Sequence, residues 1–175
     1  NVCGYEAREA TNNGKLRLHK LLGGSEGTLC IVTKLTFKVI RKKPYDSLIV
    51  AYFNDKTTSA KASQIALQYN PLGIEIMDKS LLDLAVEQEP ILAENMPTGI
   101  DNALLIEFEG ETEEEVRKYA ENVLNKITSE ALTQNIYMAI SEEEKSQFWA
   151  VRKAAVPILY KLKGKKKIIA LVEDA

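Results

Sequence analysis

Histidine occurs once in this sequence, tryptophan once and cysteine twice, and that scarcity removes several kinds of chemistry at the outset. Cys3 and Cys30 can pair once at most and lack the C-x-x-C spacing of a zinc or redox site, so both are expected as free thiols in a reducing compartment. His19 stands alone and reads as an exposed or satisfied side chain; no metal site is expected. No run approaches the ~20 apolar residues of a membrane-spanning helix, and no charged-then-apolar leader opens the chain. The expectation is a cytoplasmic protein, or one peripheral to the inner membrane. A surplus of one charge is missing too, since 23 Lys and Arg face 25 Asp and Glu for a net −2. The two short basic runs, Arg41-Lys42-Lys43 and Lys165-Lys166-Lys167, read as solvated loops, so no nucleic-acid surface is expected.

What is present is ordinary for a folded domain. The 175 residues are 45% apolar and 27% charged, enough for a core without a staple of disulfide or metal. The chain opens at Asn1 and closes at Ala175 directly after an apolar run, which reads as a piece of a longer protein.

In the first part, Asn12-Asn13-Gly14 predicts a turn joining two short strands, Val2 to Ala7 and Lys15 to Leu22. Gly23-Gly24-Ser25-Glu26-Gly27 follows. From Thr28 to Ile40, Ile31, Thr33, Leu35, Phe37 and Val39 alternate with Val32, Lys34, Thr36 and Lys38, a period of two that predicts a strand. Pro44 cannot donate to a ladder and ends it. A domain boundary is placed there, giving 1–44 and 45–175.

Beyond it, strands alternate with amphipathic helices. Strands are expected at Ser47 to Phe53, Gly73 to Met77, Ala103 to Phe108, Asn135 to Ile140 and Ile168 to Val172. A helix beginning at Thr57-Thr58-Ser59 carries Ala62, Ile65, Ala66 and Tyr69 and stops at Asn70-Pro71. A short helix covers Ser80 to Glu87. Thr112 caps a longer one whose Glu113, Glu114 and Glu115 sit at the positive end of its dipole, while Val116, Tyr119, Ala120, Val123, Leu124 and Ile127 form its apolar stripe. Ser141 and Glu144 form a capping box for a last helix towards Leu162, with Pro157 expected to kink or split it and Gly164 to close it. Ser47 to Phe53 and Asn102 to Phe108, each followed by a helix, align as a crude repeat. The expected class is α+β: a ferredoxin-like, mostly antiparallel sheet with helices on one face.

The segment with most chemical content is Gly24-Ser25-Glu26-Gly27-Thr28-Leu29-Cys30-Ile31-Val32-Thr33. Glycines ahead of a strand let backbone approach a flat or charged ligand, and bared amides can hold phosphate oxygens. A glycine-rich hairpin turn is the alternative on physical grounds. The segment also resembles the GSEGTLGIVTE signature of FAD-linked oxidases and dehydrogenases of the vanillyl-alcohol-oxidase type, particularly the D-lactate dehydrogenase and glycolate oxidase flavin-subunit group. Asn1 to Tyr5, reading NVCGY, resembles the SGY-type segment upstream in that family. The resemblance continues in order through Ile74-Glu75-Ile76-Met77-Asp78, Phe148-Trp149-Ala150-Val151-Arg152-Lys153 and Val172-Glu173-Asp174.

The resemblance implies that 1–44 closes an FAD-binding domain and that 45–175 is an incomplete cap over the flavin ring. It implies FAD as cofactor, lined by Gly24, Ser25, Glu26, Gly27, Thr28 and the backbone of Ile31 and Val32, which accepts hydride from the α-carbon of a 2-hydroxy acid such as D-lactate or glycolate. Electrons would pass to an acceptor protein or quinone, and homo-oligomers are compatible with it. Where the family has glycine this chain has Cys30, which places a side chain at a position of close approach. Arg152, in a W-x-x-R context, is the implied substrate residue, its guanidinium fork matching a carboxylate; a surface arginine on a capped helix is the alternative. Phe148 and Trp149 read as core or interface. The family's histidine cluster for metal or base is expected past Ala175, so no catalytic residue is assigned here and 1–175 alone is expected to be inactive. A rival from another class is a non-catalytic ferredoxin-like module that binds a ligand or assembles subunits, which would have no need of the glycine signature.

Overall fold

The structure is a computed structural model that describes residues 5–25, 27–88, 90 and 96–161, with 88 and 154–161 described by backbone alone. The chain divides into two compact units, one holding Asn1–Ile40 and the other Arg41–Lys163.

In the first unit, helix α1 (Ala7–Ala10) leads into a two-residue hairpin of β1 (Thr11–Asn12) and β2 (Lys15–Leu16), then helix α2 (Leu18–Leu22). The predicted turn is in place, with Asn13 and Gly14 both at positive φ, 51° and 72°, the conformation a two-residue hairpin demands. The strand expected over 15–22 is corrected: it stops at Leu16. Leu18, Leu21 and Leu22 recur at i, i+3 and i+4, a helical spacing, and the Gly23 amide donates to the His19 carbonyl to finish the turn. Likewise Ala7 opens a helix instead of ending a strand.

The strand expected from Thr28 to Ile40 is also corrected. These residues have no regular secondary structure, and Ile31, Phe37 and Val39 stand 92, 73 and 83% exposed. Alternation selects two faces, but a strand exists only when a neighbour takes up its amides and carbonyls. Among the described residues no strand pairs with this stretch.

The second unit is built on four strands: β3 (Tyr45–Phe53), β4 (Gly73–Asp78), β5 (Asn102–Gly110) and β6 (Ile136–Ala139). Between them lie α3 (Lys56–Leu67), α4 (Lys79–Gln88) and α5 (Glu113–Ser129), and α6 (Glu142–Lys161) follows. The sheet order is β4-β5-β3-β6 and every neighbouring pair is antiparallel. The two halves of the sequence repeat therefore pair with each other, Ser47 opposite Phe108 and Phe53 opposite Asn102.

Local chemistry sets the helix starts. The Asp55 carboxylate accepts from the Thr58 amide at 2.8 Å, moving the start of α3 to Lys56, and the Thr112 hydroxyl accepts from the Glu115 amide at 3.1 Å. The capping box before α6 is reciprocal: the Glu144 amide donates to the Ser141 hydroxyl at 3.3 Å, and the Ser141 amide to the Glu144 carboxylate at 3.2 Å. Helix α6 runs through Pro157 as one element, so the proline does not split it. At the end of β5, a Cβ on Gly110 would fall 2.8 Å from the Val116 side chain, so glycine lets α5 fold back closely.

The α+β class and antiparallel sheet are as expected; the placement of helices on one face is corrected. Ile49, Ala51, Phe53, Leu104, Ile106 and Phe108 meet α3 and α5 on one side. Leu48, Val50, Tyr52, Ala103 and Leu105 meet Leu82 and Ala85 of α4 and Val151 of α6 on the other. The reason is legible in β3, where Leu48 to Phe53 are all apolar and all buried, the pattern of a strand covered on both faces. The expected strand at Ile168 to Val172 and the closing Gly164 lie outside the described residues. No helix among the described residues is long and apolar enough to cross a membrane.

Candidate functional site

The glycine segment forms a tight, self-bonded loop after α2. The Ser25 amide donates to the Leu22 carbonyl at 3.2 Å, and the Thr28 amide donates back to the Ser25 carbonyl at 2.9 Å. The Thr28 hydroxyl also donates to that carbonyl at 2.6 Å and lies 2.6 Å from the Tyr5 hydroxyl. Ser25 is buried, and Gly24 and Gly27 hold φ of 76° and 77°, a region that side chains resist. A Cβ added to Gly27 would meet nothing within 4 Å, so open space lies beside that stretch of main chain. Ile31 and Val32 present exposed apolar surface just beyond, and Cys30 is a half-buried free thiol. Glu26 lies outside the described residues, as does Cys3. His19 is exposed on α2.

In the second unit, Arg152 sits on α6 with its side chain 41% exposed and its Nε donating to Glu75 of β4. One element supplies the cation and another the carboxylate: the last helix crosses the sheet face on which Glu75 stands. Two turns earlier on the same helix, Lys145 makes the corresponding contact with β3, its ammonium 2.6 Å from the Asp46 carboxylate and 2.6 Å from Glu142. Burial draws the Lys145 pKa down, but the bonds to Asp46 and Glu142 outweigh it and leave the pKa above the ordinary lysine value. Between these pairs, Glu107 of β5 is pushed above the usual carboxylate range, first by burial and then by the neighbouring Asp46 charge. Phe148 and Trp149 pack against the apolar cluster beneath α6, as expected of core residues. An open cleft of about 560 Å³ beside β6 and α6 is lined by Asn135, Tyr137, Met138, Glu144, Gln147 and Phe148 and does not include Arg152.

Comparison with known proteins identifies the family of the chain. Residues 42–175 match the family described as "FAD linked oxidases, C-terminal domain". The chain belongs to the FAD-linked oxidase family. It is 32% identical over 151 residues to the glycolate oxidase subunit GlcD of Escherichia coli, covering 85% of this chain and 29% of that protein. It is 32% identical over 145 residues to the D-lactate dehydrogenase of Anaerostipes hadrus, covering 78% of this chain and 30% of that protein. A D-2-hydroxyglutarate dehydrogenase of Haemophilus influenzae is 24% identical over 187 residues, 99% of this chain and 18% of that protein. The chain thus spans less than a third of the length of each of these relatives.

FAD is the cofactor named in the family's description. The loop's chemistry fits such a group: two glycines in the left-handed region, open space beside one of them, and apolar side chains bared next to it. Arg152 and Glu75, which lie in separate segments of the resemblance to FAD-linked oxidases, are partners in the structure. Lys145 and Asp46 went unnoticed as a pair. Their signal is the seven-residue spacing of Lys145 and Arg152, two turns along one helix face, above acidic positions on the strands.

Proposed function

We propose that this chain belongs to an FAD-dependent dehydrogenase that oxidises a 2-hydroxy acid of the D-lactate or glycolate class. In this reading 1–44 closes the FAD-binding domain and 45–175 forms part of the cap. Gly24, Ser25, Glu26, Gly27, Thr28, Ile31 and Val32 would hold FAD, which when bound supplies the acceptor for the hydride leaving the α-carbon. This chain's own contribution is binding and orientation. Main chain freed of side chains at Gly24 and Gly27 lets the flat group lie close, and Ile31 and Val32 keep water from it. Arg152 fixes the substrate carboxylate with its planar fork, which anchors one end of the substrate. Electrons then pass to an acceptor protein or quinone.

The observation that carries the reading is the match over residues 42–175 to a flavin-linked family whose relatives act on glycolate, D-lactate and D-2-hydroxyglutarate by name. Arg152 is the chain's most specific contribution to it. Replacing Arg152→Met in the intact protein is expected to raise KM for the preferred hydroxy acid by about 10- to 100-fold, the scale of one or two hydrogen bonds to a charged group. The flavin absorbance should be retained. An unchanged KM for every hydroxy acid tried would discard the arginine's role, and absence of a flavin band after reconstitution with FAD would remove the enzyme.

A further inference from the structure

We propose that Glu75 is a positioning residue for substrate binding: it holds the Arg152 guanidinium at its Nε so that the end-on, two-amine edge faces an incoming carboxylate. The inference rests on the reading of Arg152 as the carboxylate-binding residue. Its basis is which nitrogen is engaged. Glu75 takes the Nε proton, and neither terminal amine of Arg152 has a hydrogen-bond partner among the described residues. A guanidinium has five donors in one plane. The bond at Nε restrains the guanidinium on that side, and the end-on pair of parallel N–H groups is the edge left to bind a carboxylate through both oxygens.

The support beneath Glu75 is stiff on one side. Strand β4 is laddered to β5 over six residues, with Glu75 opposite Leu105, which is buried. The cation comes from a helix and the anchor from a strand, so the fork's direction depends on the packing of α6 over the sheet and not on the arginine's own flexible stem. Lys145 pins the same helix to β3 through Asp46, two turns nearer its start. Arg152 and Glu75 are 41 and 40% exposed, so a small anion can reach the fork from solvent.

A plain ion pair at this exposure contributes little to stability, about 0 to 1 kcal/mol. Charge also argues against simple electrostatic attraction, since the Glu75 carboxylate cancels much of the arginine's field beyond contact distance. What the pair adds is orientation, at the cost of some long-range attraction.

The test uses steady-state kinetics of the intact flavoprotein with the preferred hydroxy acid. Glu75→Ala should raise KM about tenfold, the equivalent of one charge-assisted hydrogen bond, with kcat changed less. Glu75→Gln keeps an acceptor oxygen at the same reach and should restore KM to within about threefold of wild type, because direction and not charge is what is lost. In an Arg152→Met background, adding Glu75→Ala should change KM no further. Thermal melts of all variants should coincide with wild type to within the small shift expected of an exposed pair. A wild-type KM in Glu75→Ala, while Arg152→Met raises it, overturns the Glu75 assignment alone. A Glu75→Gln variant as impaired as Glu75→Ala, or a full Glu75→Ala effect persisting without the arginine, overturns it as well. A wild-type KM in Arg152→Met brings down the arginine reading itself, which separates the two failures.

Discussion

Under α3 and α5 the middle of the sheet is apolar, from Phe53 through Ile49 on one strand and from Leu104 through Phe108 on the next. Under α4 and α6 the same strands change character part-way. Leu48, Val50, Tyr52 and Leu105 are buried there, but Asp46, Glu107 and Glu109 continue the alternation on β3 and β5, with Glu75 beside them on β4. The first face is closed mainly by hydrophobic burial, with buried Ser47 donating to the Val116 carbonyl of α5, whereas the second is closed at its charged end by two cations from one helix, Lys145 and Arg152. Accessible, directional polar groups lie on the second face. The difference shows a division of duties within one sheet: one side holds the fold, and the other trades part of its apolar burial for chemistry.

The comparison can be broken most directly on the apolar side. Phe108 is 1% exposed, and Phe108→Ala should cost about 3 to 5 kcal/mol in urea unfolding, since lost transfer energy and a cavity add. A cost below about 1 kcal/mol would mean that this face is not the structural one. On the charged side the largest effect should come from Lys145→Met, which strands the mostly buried Asp46 carboxylate. About 2 kcal/mol is expected, less than for a fully buried pair because Asp46 keeps some contact with water. The raised Lys145 pKa gives the sign of its pH dependence. Stability tied to its protonation is fully present below the ordinary value of 10.5 and is lost as pH rises through the higher folded value, so the gap between wild type and variant should narrow in strong alkali.

The smallest effect should run in the opposite direction. With a folded pKa above its ordinary 4.5, Glu107 contributes stability when protonated and loses it as pH rises through the folded value. At neutral pH its ionised form is therefore a burden, and Glu107→Gln should stabilise by a few tenths of a kcal/mol once solvent screening is allowed for. Melts at pH 7 and at about pH 4 check this, because the gain should vanish on acidification. A Glu107→Gln protein less stable than wild type at pH 7 would show that the carboxylate is held favourably and that the second face is better satisfied than its acidity suggests.

Much of the second unit was legible from residue order. Thr112 and the Ser141–Glu144 box sit at helix starts because a side-chain oxygen must meet an orphan amide there, a requirement local enough to read from four residues. The second layer of helices is legible in principle, in the unbroken apolar run from Leu48 to Phe53, which a repeat of strand-helix units does not weigh. Less of the first unit is legible in this way. Leu18, Leu21 and Leu22 follow a helical period that the nearby turn signal obscured, and Thr28 to Ile40 shows that alternation describes a strand's two faces without providing its neighbour. Arg152 was reached through family resemblance and could not have been separated by physics from an ordinary surface arginine. Glu75 was beyond reach as its partner, because the pairing depends on how β4 is registered against β5 and where α6 crosses them, both of which are long-range facts.

The nine-residue ladder between β3 and β5 also bears on how quickly this chain can assemble. Its partners are distant in sequence, Phe53 with Asn102 at the near end and Tyr45 with Gly110 at the far end, so the sheet's central pairing must await closure of a long intervening loop. Zipping from Phe53–Asn102 outward is the cheaper order, since each later pair adds little further loop. Until it happens, two strongly apolar strands remain unsheltered, and the interval between synthesis and closure is when this chain is most open to association with the wrong neighbour.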